Sequence, residues 1–562
     1  MKALLQPIAA ALAFVFCAAL SVPSQRITYT LAPVLRDGAL RAVQIDLIFR
    51  GQGDGETGLR LPDDWGGEHE LWRGIEGLTI VEGAEMRDGA AINERVLTHE
   101  PNARIHVRYR VIQDWEGVPT GGRNTYRPIV QPTYFHLIGE AALVTPELHL
   151  ATPARLRVRG LPRHWSFASD LQHPGLVLGR VWSSITVGGD YRIRRATDAN
   201  IRVAIRGDWS FTDQEFTAQV GQIIGGHRRF WSDRSSPYLV TVTQTVQRNP
   251  GQMSVGGTGL DDAFAFFATP NIDDAPIART LAHESLHTWI PGRIGGMPQE
   301  NEAAQYWFSE GFTDFYTGRM LVREGLWTPQ QFADDLNEML AAYAQSPVRD
   351  APNTRIAADF WSDGDVQRLP YQRGRFLATI WDSRLRAQGR SLDDTMRDMR
   401  ARAVADDPAK APDLLPIVLN SMGLDIRADL ASHVEAGARV LLPEDVFAPC
   451  GRVVTREVPT FSRGFDIDAT QAHNGRISGV DPASPAYAAG LRDGMVLRRR
   501  ERGMIGDATQ ELSYVVLDGQ VERTITYYPR GAGTYVLQRF EIDAPLEGER
   551  YAQCRAALGG AN

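Results

Sequence analysis

His283-Glu284-Ser285-Leu286-His287 decides the reading of this 562-residue chain. Two histidines four positions apart, with a glutamate after the first, make the pattern H-E-x-x-H, which binds zinc when it lies on a helix. A helix turns about 100° per residue, so positions four apart face the same way. Both imidazoles can then reach one Zn²⁺, with Glu284 beside a water on that ion. The flanks predict such a helix: Asp273, Asp274 and Pro276 form a start, Ile277, Leu281 and Leu286 supply apolar positions, and Pro291-Gly292 form a stop.

An open zinc site needs a third protein ligand. Glu310 is the candidate, inside Tyr306-Trp307-Phe308-Ser309-Glu310-Gly311-Phe312-Thr313-Asp314, a second helical pattern that continues toward Leu321 and ends near Gly325. Asp314 follows one turn later, where it can accept the free ring N–H of a ligand histidine and fix its tautomer. A solvated helix face is the alternative for both carboxylates. The aromatic residues around Glu310 weigh against it, because an unpaired carboxylate among them is costly. With His283, His287 and Glu310 as ligands, one Zn²⁺ per chain would bring its water toward a neutral pKa and polarise a carbonyl. Glu284 would then act as general base and pass the proton to the leaving amine.

These residues resemble the glycyl aminopeptidase family of zinc metallopeptidases that carry a C-terminal PDZ domain, and more distantly the larger clan of aminopeptidases with a downstream W-x-x-E-G-F segment. The resemblance is carried by His283 to Trp289, by Trp307 to Thr313, and by Tyr371-Gln372-Arg373-Gly374, which is similar to the clan's Y-x-K-G. It implies that Tyr371 hydrogen-bonds the oxyanion in the transition state. Tyr371 follows Pro370 and is predicted to open an amphipathic stretch through Phe376, Leu377, Ile380, Trp381 and Leu385. A tyrosine simply packed at a helix start is the alternative.

The chain departs from the family in three places. Arg373 replaces the family's Lys, which keeps the charge and alters its shape. Trp289 is followed by Ile290-Pro291-Gly292-Arg293 where the family reads N-x-K-R, so the loop after the zinc helix differs. The family's acidic substrate-edge segment, G-G-L-E-H, has an approximate counterpart in Gly256-Gly257-Thr258-Gly259-Leu260-Asp261-Asp262. Matching Gly259, Leu260 and Asp261 to G-L-E puts a short carboxylate near the peptide's amino terminus and makes Ala263 to Ala268 the strand lining the cleft. A plain glycine-rich turn before an edge strand is the alternative.

A chain of this length with 43% hydrophobic residues exceeds one compact core, so several domains are expected. Net charge of −8 and the lack of a basic tract give no reason to expect nucleic acid. Residues 1–21 read as a signal peptide, with Met1-Lys2, an apolar stretch from Ala3 to Leu20, and Ala19 and Ser21 as the small cleavage pair. Phe16 before Cys17 makes a poor lipobox, and no later segment is apolar enough to span a bilayer, so an exported protein, periplasmic or secreted, is expected. Cys450 and Cys554 remain after cleavage. An oxidising compartment permits a disulfide between them, with two free thiols as the alternative.

The expected fold is multidomain α+β. Residues 22–198 alternate short apolar and polar runs, such as Val43 to Phe49 and Ile105 to Val111, and read as an all-β domain. Residues 199–445 carry strands at Ile201 to Ile205 and Tyr238 to Thr243, a helix from Thr212 to Trp231, and then mainly helices, an order that resembles a thermolysin-like zinc peptidase with a helical part. Residues 446–562 are similar to a PDZ domain through Arg463-Gly464-Phe465-Asp466, Ser484-Pro485-Ala486-Tyr487-Ala488-Ala489-Gly490-Leu491 and Asp493-Gly494-Met495-Val496-Leu497. That likeness implies Gly464 and Phe465 at a loop that takes peptide C-termini by strand addition. A module that only packs on its neighbour is the alternative.

Two functional classes fit. One is a zinc aminopeptidase that trims small residues of the Gly or Ala type from peptide or protein substrates, with a zinc endopeptidase as its rival. The other is a non-catalytic peptide-binding protein, against which the joint presence of Glu284 and Tyr371 weighs.

Overall fold

The computed structural model describes residues 26–120, 124–197, 200–233, 237–249, 251–272, 274–298, 300–405, 407–543 and 546–560. The predicted leader, with Cys17, and Asp273 of the predicted helix start lie outside them. The chain divides into two compact units at 193/194.

In the first unit, alternation of apolar and polar residues produces strands that bury one face. Ala39–Arg50 pairs antiparallel with Arg104–Val111 and turns Val43, Ile45, Leu47 and Phe49 into the core. Three sheets of five, four and four strands share the work. The largest runs in the order Ala154–Val158, Ile27–Arg36, Ala39–Arg50, Arg104–Val111, Ile75–Glu82.

The second unit begins with a mixed sheet. Ile201–Arg206, Tyr238–Gln244 and Ala263–Ala268 run parallel, and Val255–Gly259 closes the edge antiparallel to the last of them. Every residue of Ala263–Ala268 is buried, as a strand covered on both faces requires. This corrects the expectation that 263–268 lines the cleft: the glycine-rich run before it is the edge strand, and 263–268 lies inside it. Helix Asp213–Phe230 is started by a reciprocal cap in which Thr212 and Glu215 each accept the other's backbone N–H.

Four helices then matter for the site. The motif helix is Asp274–Leu286, the carboxylate helix Tyr306–Arg323, the flanking helix Pro329–Gln345 and the tyrosine helix Gly364–Arg386. The tyrosine helix starts two turns earlier than its sequence suggests. Asp363 caps it by accepting the N–H groups of Asp365 and Val366, and Pro370 sits inside it, so Tyr371 is an interior residue and not the opening one. Packing decides this: Val366, Leu369 and Pro370 are all buried, and that burial outweighs the backbone bond the proline removes. No helix among the described residues is long and apolar enough to cross a membrane.

The carboxy-terminal portion divides by its apolar contacts. Strands Gly451–Phe461 and Arg530–Ile542 pair antiparallel, and Val453, Phe540 and Leu558 join the core of the four helices just described. Between them, Phe465, Ile477, Leu491, Tyr514 and Val516 form a separate core over the three-stranded sheet Val496–Arg502, Leu512–Asp518, Val521–Tyr527.

Candidate active site

The motif helix and the carboxylate helix run antiparallel, since Arg279 and His283 meet Asp314 while His287 meets Glu310. His287 lies one residue past the last helical residue, on a closing turn whose N–H donates to Glu284 O at 3.1 Å. The result is one focus. Nε2 of His283 and Nε2 of His287 stand 3.3 and 3.4 Å from the same Glu310 Oε2. Among the described residues, these three form the one group of metal-binding side chains, with ligand atoms all within 4.8 Å of one another.

The donor set fits zinc. Each histidine has its other nitrogen engaged outward, His283 Nδ1 with Asp314 Oδ1 at 2.9 Å and His287 Nδ1 with Ile290 O at 3.0 Å. A carbonyl only accepts, so Nδ1 of His287 carries the proton and its Nε2 lone pair points inward; the carboxylate does the same for His283. Two inward imidazole nitrogens and one carboxylate oxygen are the ligands of an open zinc site. Burial opposes charge on Glu310, yet His287 and His283 hold its carboxyl well below the usual range.

A partly buried chain of ion pairs stands behind His283. Arg279 donates to Asp314 at 3.0 Å and to Asp335 at 2.7 Å, and Arg375 donates to Asp335 at 2.6 Å. Burial works against the ionised Asp314, but Arg279 and His283 outweigh it and keep the carboxylate charged. Arg279 lies one turn before His283 on the same face, a spacing from which the sequence could have identified it.

Glu284 points into the same cleft, and burial raises its pKa against the opposing pull of the two histidines. The N–H of Gly259 donates to its carboxylate. A Cβ on Gly259 would lie 2.6 Å from the backbone oxygen of Glu284, so only glycine lets the edge strand approach the motif helix this closely. Tyr371 stacks on His283, ring centroids 5.9 Å apart and planes 20° from parallel. Burial, Glu310 and Glu284 all raise its pKa, which keeps the hydroxyl protonated as a donor.

These groups open on a cleft of about 340 Å³ whose far wall is Glu302, Tyr306, Phe360 and Trp361. Among the described residues, no lysine or arginine lines it. Burial and the nearby Glu310 raise the pKa of Glu302. Glu302 is not legible in the sequence, since it lies ahead of the carboxylate helix and outside its periodic pattern. Gln367, also on the wall, shares a face with Tyr371 four residues on, and would have been legible had the helix start been placed at Asp363.

The expected substrate-edge residues separate. Gly259 lines the cleft, whereas Leu260 is buried with its carbonyl accepting from Thr288, and Asp261 is no part of the wall. A strand alternates its side chains and the turn after Gly259 directs the next residues elsewhere, which corrects the assignment of Asp261 to the amine position. The neighbouring Asp262 pairs with Arg293 at 2.7 Å, and Arg293 also bridges to Asp233, pinning the loop after the motif helix. In the carboxy-terminal module Gly464 has φ +74 and sits against Ser484 and Ala486, while the Phe465 ring faces inward onto Tyr514. Cys450 and Cys554 are bonded, with Cα atoms 4.6 Å apart.

The model of the M61 glycyl aminopeptidase family matches residues 277–368, the stretch that holds both histidines, Glu284, Glu310 and Asp314 and stops just short of Tyr371. Fold, donor set and this match together define a zinc metallopeptidase. Among solved structures, the chain is similar to an aminopeptidase N family protein from Idiomarina loihiensis, at 15% identity and a TM-score of 0.64, covering 95% of this chain and 100% of that one. It also matches an M1 zinc metallopeptidase from Deinococcus radiodurans at 15% identity and a TM-score of 0.45, over 75% of this chain and 96% of that one. No curated protein sequence matches.

Proposed function

We propose that this chain is an exported aminopeptidase that holds one zinc ion and removes small residues, of the glycine or alanine type, from the amino termini of peptides. The observation that carries the reading is the convergence of His283, His287 and Glu310 on one point, with Glu284 and Tyr371 facing the same cleft. The preference for small residues rests on the family match, and export is supported by the buried disulfide, which persists only in an oxidising compartment.

Bound zinc supplies Lewis acidity and a water whose pKa is near neutral. His283 and His287 present Nε2, and Asp314 and the Ile290 carbonyl keep them in that tautomer. Glu284 removes the proton from the attacking water and carries it to the departing amine; its raised pKa suits both halves of that task. The Tyr371 hydroxyl donates to the oxygen on which charge develops. Glu302 is the cleft carboxylate left over from these roles, and with no lysine or arginine beside it among the described residues of the wall it suits a protonated α-amine. The module over residues 465–527 is read as PDZ-like, supported by the positive φ of Gly464 and the Ser484 cap of the helix that follows.

The test uses peptides beginning with Gly or Ala, free and amino-acetylated. The wild type cuts the free peptides and stops on the blocked ones; continued cutting of blocked peptides makes it an endopeptidase. Glu284→Gln retains zinc by metal analysis and loses about 10²–10⁴ in rate. Substantial residual hydrolysis would remove Glu284 from its role.

A further inference from the structure

We propose that the downstream part of a peptide substrate lies in a track that leaves the reaction cleft, crosses the flanking helix and ends on residues 504–507, so that this protein favours peptides of several residues over the shortest ones. The inference rests on the aminopeptidase reading, because a substrate held at its amino terminus extends from the scissile bond in one direction only.

Three cavities lie side by side, each sharing wall residues with the next. Gln367 and Tyr371, one turn apart on one face of the tyrosine helix, line both the reaction cleft and a second cavity of about 700 Å³. The far wall of that cavity is the flanking helix, whose Asp335, Glu338, Met339 and Ala342 fall at the spacing of a single face. Glu338 in turn also lines a third cavity of about 610 Å³, closed on its other side by Met504, Ile505, Tyr535 and Leu537. The track therefore begins at the hydroxyl assigned to the oxyanion and ends on the carboxy-terminal portion, away from the loop at Gly464.

Its chemistry suits a peptide. Gln372 is 4% exposed and lines the second cavity, and its Oε1 has no hydrogen-bond partner. Gln367 and Gln372 on this wall carry amide side chains, which both donate to and accept from a peptide backbone. Met504 at 63% and Ile505 at 38% exposure offer apolar side chains at the far end, where a peptide side chain would cover them. A helix with its side chains is about 10–12 Å across and an extended peptide covers about 3.3–3.6 Å per residue, so crossing the flanking helix takes about three to four residues.

The experiment measures kcat/KM for free-amine peptides of two to ten residues that share one amino-terminal dipeptide. The wild type rises by about tenfold or more between three and eight residues and then levels off, the gain expected from covering one or two apolar side chains. Met504→Asp with Ile505→Asp removes that gain while tripeptide kinetics stay at the wild-type value, and Glu338→Ala reduces it. Equal kcat/KM for three and eight residues in the wild type overturns the track and leaves the aminopeptidase reading standing, as does a double variant that loses both lengths equally or neither. Failure of that reading shows differently, as cleavage of acetylated peptides.

Discussion

The two histidines of the motif differ in what stands behind them. His287 leans on a backbone carbonyl that no substitution removes, whereas His283 depends on the side chain of Asp314, itself held by Arg279. Asp314 accepts from Nδ1 of His283 and so leaves its Nε2 free to bind the metal, and removing the Asp314 charge weakens this histidine as a ligand. Asp314→Asn is expected to lower zinc affinity by about 10- to 100-fold, read by competition with a chelator. Unchanged affinity would assign Asp314 to the chain of ion pairs alone. Tyr371→Phe tests the other end of the chemistry: kcat falls by about 10²–10³ with little change in KM if the hydroxyl acts on developing charge. Equal kinetics would return Tyr371 to a packing role. The residues legible in the sequence, His283, His287, Glu310 and Asp314, are those whose relation is set by helical spacing. Asp261 and Glu302 were misjudged or missed because cleft walls are built from chain-distant segments, and nothing local says which carboxylate faces in.

Between elements, two glycines set a close approach. A Cβ on Gly311 would collide with the backbone of Gly374, and one on Gly374 with the carbonyl of Trp307, so the carboxylate and tyrosine helices touch backbone to backbone. This contact fixes Tyr371 relative to Glu310, three residues before Gly374 and one before Gly311 respectively. The glycines in the E-G and Y-x-R-G segments are thus spacers for the site and carry no chemistry of their own. Gly374→Ala forces the helices apart at an overpacking cost of about 1–3 kcal/mol, and is expected to lower Tm and to reduce kcat more than zinc content. A variant with wild-type Tm and kcat would show that the crossing does not set the site. Helices with strong caps, such as those after Thr212 and Thr328, were legible at the residue level. The start of the tyrosine helix is not legible in the sequence, because Pro370 is a local stop signal that tertiary burial overrides. The edge strand Val255–Gly259 is hidden for a similar reason: glycine-rich runs signal turns, and the close approach of the motif helix to Gly259 explains why a glycine-rich segment is a strand there.

At the scale of the second unit, the chain closes on itself. Strand Arg530–Ile542 returns to pair with Gly451–Phe461, and the last helix, Gly548–Gly559, lies against the carboxylate helix, where Arg323 donates to Gly559 O at 2.6 Å and Arg555 to Arg323 O at 2.9 Å. The module over 465–527 is therefore an insertion between strands of the peptidase core, a division the local sequence pattern, which reads 446–562 as one piece, does not reveal. Cys450 and Cys554 are fully buried in that core and are bonded across 104 residues. A cross-link closing a loop of that length is expected to contribute about 4–5 kcal/mol by limiting the unfolded chain. Replacing both with alanine should lower Tm by roughly 5–10 °C. The bond joins the middle of the last helix to Cys450, outside the reaction cleft, so kcat at 25 °C should stay near the wild-type value while inactivation at higher temperature speeds up. Mass analysis of the non-reduced protein supplies the independent check, showing the peptides of Cys450 and Cys554 linked; two free thiols there, or a double variant as heat-stable as the wild type, would detach the closure from the bond and leave it to the strand pairing and the arginine contacts.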